Sequence, residues 1–150
     1  MRKKNNVADY ATIAFQHWAM RGCPSYEEAT ERIYNKALRR AKGVNPEKAI
    51  MFAEAEVARA SAELCDILAC DIVFREFEKS GNGIVCEAVR EIYMVQPRKK
   101  LNHNIIRGRV IAFAVKTPMS EAQVYRYLAK ARDAFAMVRN LWMEDDDSDW

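Results

Sequence analysis

Apolar residues recur along most of this chain at the three- and four-residue steps of an α-helix with one buried face. The pattern breaks where helix punctuation falls. A first helix is predicted from about residue 7 to 21, with Ala8, Ala11, Phe15 and Trp18 on one face. Gly22 suits its C-terminal stop, and Pro24 forbids continuation. Ser25 and Glu28 have capping-box spacing for a second helix, which carries Ala29, Ile33, Ala37 and Leu38 and ends near Gly43. Asn45 and Pro46 supply a cap and a first-turn proline for a third.

From Pro46 to Lys79 the sequence has no breaker over 34 residues, a helix of about 50 Å. Ile50, Ala53, Val57, Ala60, Leu64 and Ile67 repeat at heptad-like spacing, and the pairs Arg59–Glu63 and Asp71–Arg75 would brace the exposed side. A helix this long exceeds the width of a small domain. Its stripe must be covered by the first two helices, by a second copy, or by both. A homo-oligomer, most simply a dimer, is therefore expected; one kinked helix in a monomeric bundle is the alternative.

Gly81-Asn82-Gly83 reads as a turn. A fourth helix is predicted over residues 84–94, with Val85, Ala88, Val89 and Ile92 inward, and Pro97 ends it. The basic run Arg98-Lys99-Lys100 is a loop. A fifth helix, over residues 104–115, turns Ile106, Val110 and Phe113 inward. A short turn through Lys116, Thr117, Pro118 and Met119 leads to Ser120, which caps a sixth helix with Gln123 at the capping-box position. Val124, Leu128, Ala131, Phe135 and Val138 form its stripe. The predicted class is all-α. N-terminal helices with one long central helix (residues 1–80) precede a helix-turn-helix domain (81–142) and an acidic disordered tail (143–150).

Half of the 150 residues are apolar and 30% are charged, enough for a real core and unlike a disordered chain. No apolar run approaches the length of a membrane span, and no signal peptide is expected, so a cytoplasmic protein is predicted. Cys23, Cys65, Cys70 and Cys86 include no C-x-x-C pair and join only His17 and His103. No metal or other cofactor is expected, and Cys65 and Cys70 read as buried, reduced thiols. An enzyme is not expected either: neither an E-x-x-H pair, an H-E-x-x-H motif nor a nucleophile elbow occurs, and Asp66 and Asp71 read as surface or interhelical partners.

Charge changes the picture most. Residues 96–140 hold ten basic and two acidic side chains, a net +8, while residues 141–150 hold five acids and no base. A basic block nearly free of acids is the footprint that phosphate backbones select. It coincides with two helices joined by a tight turn, the layout of a helix-turn-helix. With Val124 and Leu128 inward, Glu121, Ala122, Tyr125, Arg126 and Lys130 project outward. Base contacts are assigned to Glu121, Ala122, Gln123, Tyr125 and Arg126; Arg126 can fork onto guanine, and Gln123, if not capping, can pair with adenine. Lys99, Lys100, His103, Arg107, Arg109, Lys116 and Lys130 are assigned to phosphates.

These residues also carry a resemblance. Glu91-Ile92-Tyr93, the stretch from Ile106 to Ala114, the run Ser120-x-x-x-Val124-Tyr125-Arg126-Tyr127-Leu128-x-x-Ala131-Arg132, and Arg139-x-Leu141 resemble phage-encoded, sigma-like regulators of the ArpU/RinA type. They are also similar to sigma-factor region 4. The resemblance covers roughly residues 84–141. It implies sequence-specific binding to duplex DNA and regulation of transcription, of phage or prophage genes, with RNA polymerase as a possible partner. No segment resembles a promoter-melting region, which sets the chain apart from a complete sigma factor. Two other readings stay open: a phage DNA-packaging subunit of the small-terminase kind, and a helical protein-interaction module with an incidental basic patch.

Overall fold

The computed structural model describes residues 2–141, the first seven of them by backbone alone. The described residues are all-α, without a strand. Helix α1 (Arg2–Met20) buries Ala11, Ala14, Phe15 and Trp18; Ala8, placed on the same face, lies outside the described side chains. The chain reverses through Gly22 (φ +82°) and Cys23 (φ +54°), and Trp18 Nε1 donates to the Pro24 carbonyl at 2.8 Å. Helix α2 (Tyr26–Arg40) opens on the expected capping box. Ser25 Oγ accepts from the Glu28 amide at 3.1 Å, and the Ser25 amide donates to Glu28 Oε1 at 2.8 Å. Asn45 caps α3 (Pro46–Arg59) through the Glu47 amide.

The single long helix expected from residue 46 to 79 does not form. The chain breaks at Ala60 (φ −90°, ψ 13°) into α3 and α4 (Ser61–Lys79). Neither proline nor glycine marks the place. The break leaves α3 lying along α2 and carries α4 into the core. The heptad-like stripe is correspondingly divided: Ala53, Leu64 and Ile67 are buried, whereas Ile50 is 44% exposed. Arg59 pairs with Glu56 rather than Glu63, and Glu63 takes Arg21, in the turn after α1, at 2.5 Å. The Asp71–Arg75 pair is present.

Helix α5 (Gly83–Val89) continues into a π-helical turn, Arg90–Met94, which buries Ile92, Tyr93 and Met94. The basic loop follows, then α6 (His103–Lys116) and α7 (Glu121–Arg139). Phe15 is the centre of the core. Its ring lies 5.9 Å from Phe74 on α4, 5.6 Å from Phe135 on α7 and 6.5 Å from Tyr93 in the π turn, while Trp18 meets Phe74 edge-on at 5.0 Å. One hydrophobic cluster therefore runs across the expected boundary near residue 80. A clasp joins both ends of the chain: Asp66 accepts from the Tyr10 hydroxyl at 2.9 and 3.0 Å and from Arg139 Nε at 2.7 Å.

Besides Ile50, other side chains differ from expectation, among them Val138, Cys65 and Ile106. Val138, placed on the buried stripe of α7, is 42% exposed; Cys65 is exposed; Ile106 is only half-buried. Val138 falls in the last turn of α7, where Ala136 and Phe135 face the core instead. Cys65 lies on the outer side of α4, between the buried Leu64 and Ile67. The acidic tail, expected to be disordered, lies outside the described residues.

Candidate nucleic-acid interface

The Thr117-to-Ser120 turn is built from short-range bonds. Thr117 Oγ1 donates to the Phe113 carbonyl at 2.6 Å, and the Met119 amide to that of Ala114 at 3.0 Å. Ser120 Oγ then accepts from the Gln123 amide at 3.1 Å and starts α7. At the other end of α6, Asn102 caps through the Ile105 amide at 2.9 Å. Both caps are side-chain oxygens satisfying amides that the helix leaves unpaired.

Helix α7 turns Val124, Leu128, Ala131 and Phe135 fully inward. Glu121, Ala122, Tyr125, Arg126 and Lys130 emerge on the opposite side and are exposed. Gln123 does not complete a capping box. Its Oε1 instead accepts from Arg126 Nε at 3.1 Å and Nη2 at 2.9 Å.

The cations assigned to phosphates are exposed except Arg109, and two of them, Arg109 and Lys116, are engaged by other residues of the fold. Lys99, Lys100, His103, Arg107 and Lys130 are exposed. Arg109 is half-buried; its Nη1 donates to the Ile92 carbonyl at 2.8 Å and its Nη2 approaches Gln96 Oε1 at 3.4 Å, which ties α6 to the π turn. Lys116 is paired with Glu91. Both are thus structural ties as well as cations, a role that depends on tertiary neighbours and leaves no mark in the local sequence. Arg132, beside the same turn, donates to the Tyr93 hydroxyl at 2.5 Å.

The basic loop is held in place. Gln16 Nε2 of α1 donates to the Lys99 carbonyl at 2.9 Å. Arg98, which the residue assignments omitted although it begins the basic run, is exposed and lines a cleft of about 560 Å³ with Lys99, Pro97, Gln96 and Met20. This loop precedes α6, whereas Glu121 to Arg126 follow it. The 14 residues of α6 separate the two groups by about 20 Å along its axis. Between them the outer face is partly apolar: Val115 is 77% exposed and Ile111 39%. Both line a shallow groove with Pro118 and Met119 that ends at Glu121.

Among the described residues no group of three or more His, Cys, Asp or Glu side chains stands close enough to hold a metal ion. Burial pushes the Cys70 thiol well up and the Cys86 thiol up to about 11, so both stay protonated and unreactive near neutrality. No described helix is long and apolar enough to cross a membrane. No family model matches the chain, and neither does a curated protein or a solved structure.

Proposed function

We propose that the chain binds duplex DNA sequence-specifically through α6 and α7 and regulates transcription, in the cytoplasm of a phage-infected or prophage-carrying cell. The observation that carries this reading is the outer face of α7. Its first two turns expose Tyr125 and Arg126 opposite a fully buried stripe, within a segment of net +8. Arg126 reads a base edge; Lys99, Lys100, His103, Arg107 and Lys130 meet phosphates. Arg109 and Lys116 tie α6 to the π turn. Position and charge divide the work: phosphate contacts set the register, and base contacts set the sequence.

Binding isotherms on a selected site and on a scrambled duplex, at several salt concentrations, test the division. Arg126→Ala should weaken the selected site by about 1–3 kcal/mol and leave the scrambled duplex nearly unchanged. Lys99→Ala with Lys100→Ala should weaken both alike and make the log-affinity versus log-salt slope shallower by up to about 2. Equal losses on both duplexes for Arg126→Ala would make it a phosphate anchor and overturn this docking.

A second reading draws on the exposed Ile111 and Val115 beside the turn. An apolar strip there suits a protein partner, which makes α6 and α7 an interaction module. Val115→Lys separates the readings. It adds a cation to a DNA-binding face and should preserve or strengthen duplex binding, whereas it should abolish docking of a protein on that strip.

A further inference from the structure

We infer that Gln123 is a positioning residue for Arg126 and that the pair reads one guanine, rather than Gln123 reading an adenine of its own. The inference rests on the DNA-binding reading above. It starts from what an arginine can offer: donors only. The atom of Gln123 facing Arg126 Nε and Nη2, at 3.1 and 2.9 Å, is therefore the amide oxygen. Bidentate recognition of adenine needs that same oxygen to accept from the base N6 while the amide nitrogen donates to N7. With the oxygen occupied, Gln123 presents only its Nε2 donor.

Arg126 gains from the arrangement. An unrestrained arginine must give up the freedom of a long side chain to meet a base. Here one edge of the guanidinium, Nε with Nη2, is held three residues back along the same helix turn. The Nη1–Nη2 end stays free to fork onto the O6 and N7 acceptors of guanine. Ser120 supports the pair from below, because its hydroxyl takes the Gln123 amide at 3.1 Å and fixes the residue's backbone. Arg126 and the remaining donor of Gln123 then present donors alone, which matches the all-acceptor major-groove edge of guanine and mismatches adenine, whose N6 is itself a donor.

The test is a randomised-duplex selection carried out in parallel with the wild-type chain, Gln123→Ala, Gln123→Glu and Arg126→Ala, alongside urea unfolding of each. The wild type should enrich a motif with a guanine that Arg126→Ala loses. Gln123→Ala should lower preference at that same position by about three- to tenfold, the range set by ordering one long side chain, with unfolding nearly unchanged. Gln123→Glu keeps an acceptor for Arg126 and should retain the guanine while lowering affinity for all duplexes through its added charge. Loss of preference for an adenine at a different position in Gln123→Ala would overturn the inference, as would an unaltered motif. Failure of the wild type to enrich any motif is a separate result: it would remove the DNA-binding reading itself, and the inference with it.

Discussion

At Glu28 the Ser25 amide donates to the carboxylate and holds its pKa below the ordinary 4.5. The sign follows directly: a carboxyl with a depressed folded pKa adds stability that is complete above its unfolded pKa and is lost as pH falls through the folded one. Wild type should therefore lose urea stability between about pH 5 and pH 2 more steeply than Glu28→Gln, which cannot titrate. Parallel curves for the two proteins would contradict the bond's contribution. The Asp66 clasp acts at the same scale. Asp66→Ala removes the carboxylate that Arg139 and Tyr10 share, leaving Arg139 only the longer 3.3 Å bond to the Tyr10 hydroxyl, with about three-quarters of the Arg139 side chain out of water, and should cost about 1–3 kcal/mol in urea unfolding. Of these two, only the first was legible in the sequence. Ser25 and Glu28 are three residues apart and announce a capping box, while Asp66 and Arg139 lie 73 apart and meet only because α4 and α7 pack. The same limit applies to the interface. Local periodicity placed Tyr125 and Arg126 outward, but it could not show that Arg109 and Lys116 are tied to the π turn and to Glu91.

Helix starts were the most legible elements because each has a side-chain oxygen at a fixed offset. Ser25, Asn45 and Ser120 all cap where their spacing predicts, Ser25 with the full capping box and Ser120 without the Gln123 half of one. Ser120→Ala should cost about 1 kcal/mol and fray the first turn of α7. Amide exchange at Gln123 reads this locally, and unchanged protection would show that packing alone sets the helix start. The break at Ala60 was not legible, since alanine and serine carry no local stop signal and the period of three and four continues through them. The break also removes the reason for expecting a dimer from an over-long stripe. Ala53 is buried where α3 lies along α2, and Leu64 and Ile67 belong to the chain's own core. Light scattering on a concentration series should return the 17.3 kDa of one chain; a stable dimer through α3 and α4 would show that the stripe is shared after all.

Across the whole molecule, the clearest feature is one core shared by the N-terminal helices and the basic segment. Phe15, Phe74, Tyr93 and Phe135 bring α1, α4, the π turn and α7 together. The docked loop at Lys99 adds a tie to α1 through Gln16. The five acids of residues 144–149 follow this +8 segment in sequence. Carboxylates so close along the chain to these cations should compete with phosphates for them, most strongly at low salt. Deleting residues 144–149 should raise affinity for random duplex, and more at about 50 mM salt than at about 200 mM. Equal affinities of the two proteins at low salt would rule out that competition. The central claim, that α6 and α7 present a sequence-reading face to duplex DNA, is tested most directly by an unbiased selection from random duplexes with the purified full chain. A defined motif containing a guanine should be enriched, bound with an affinity that falls steeply as salt rises. Retention of no duplex at about 50 mM salt, or retention without any enriched sequence, would contradict it.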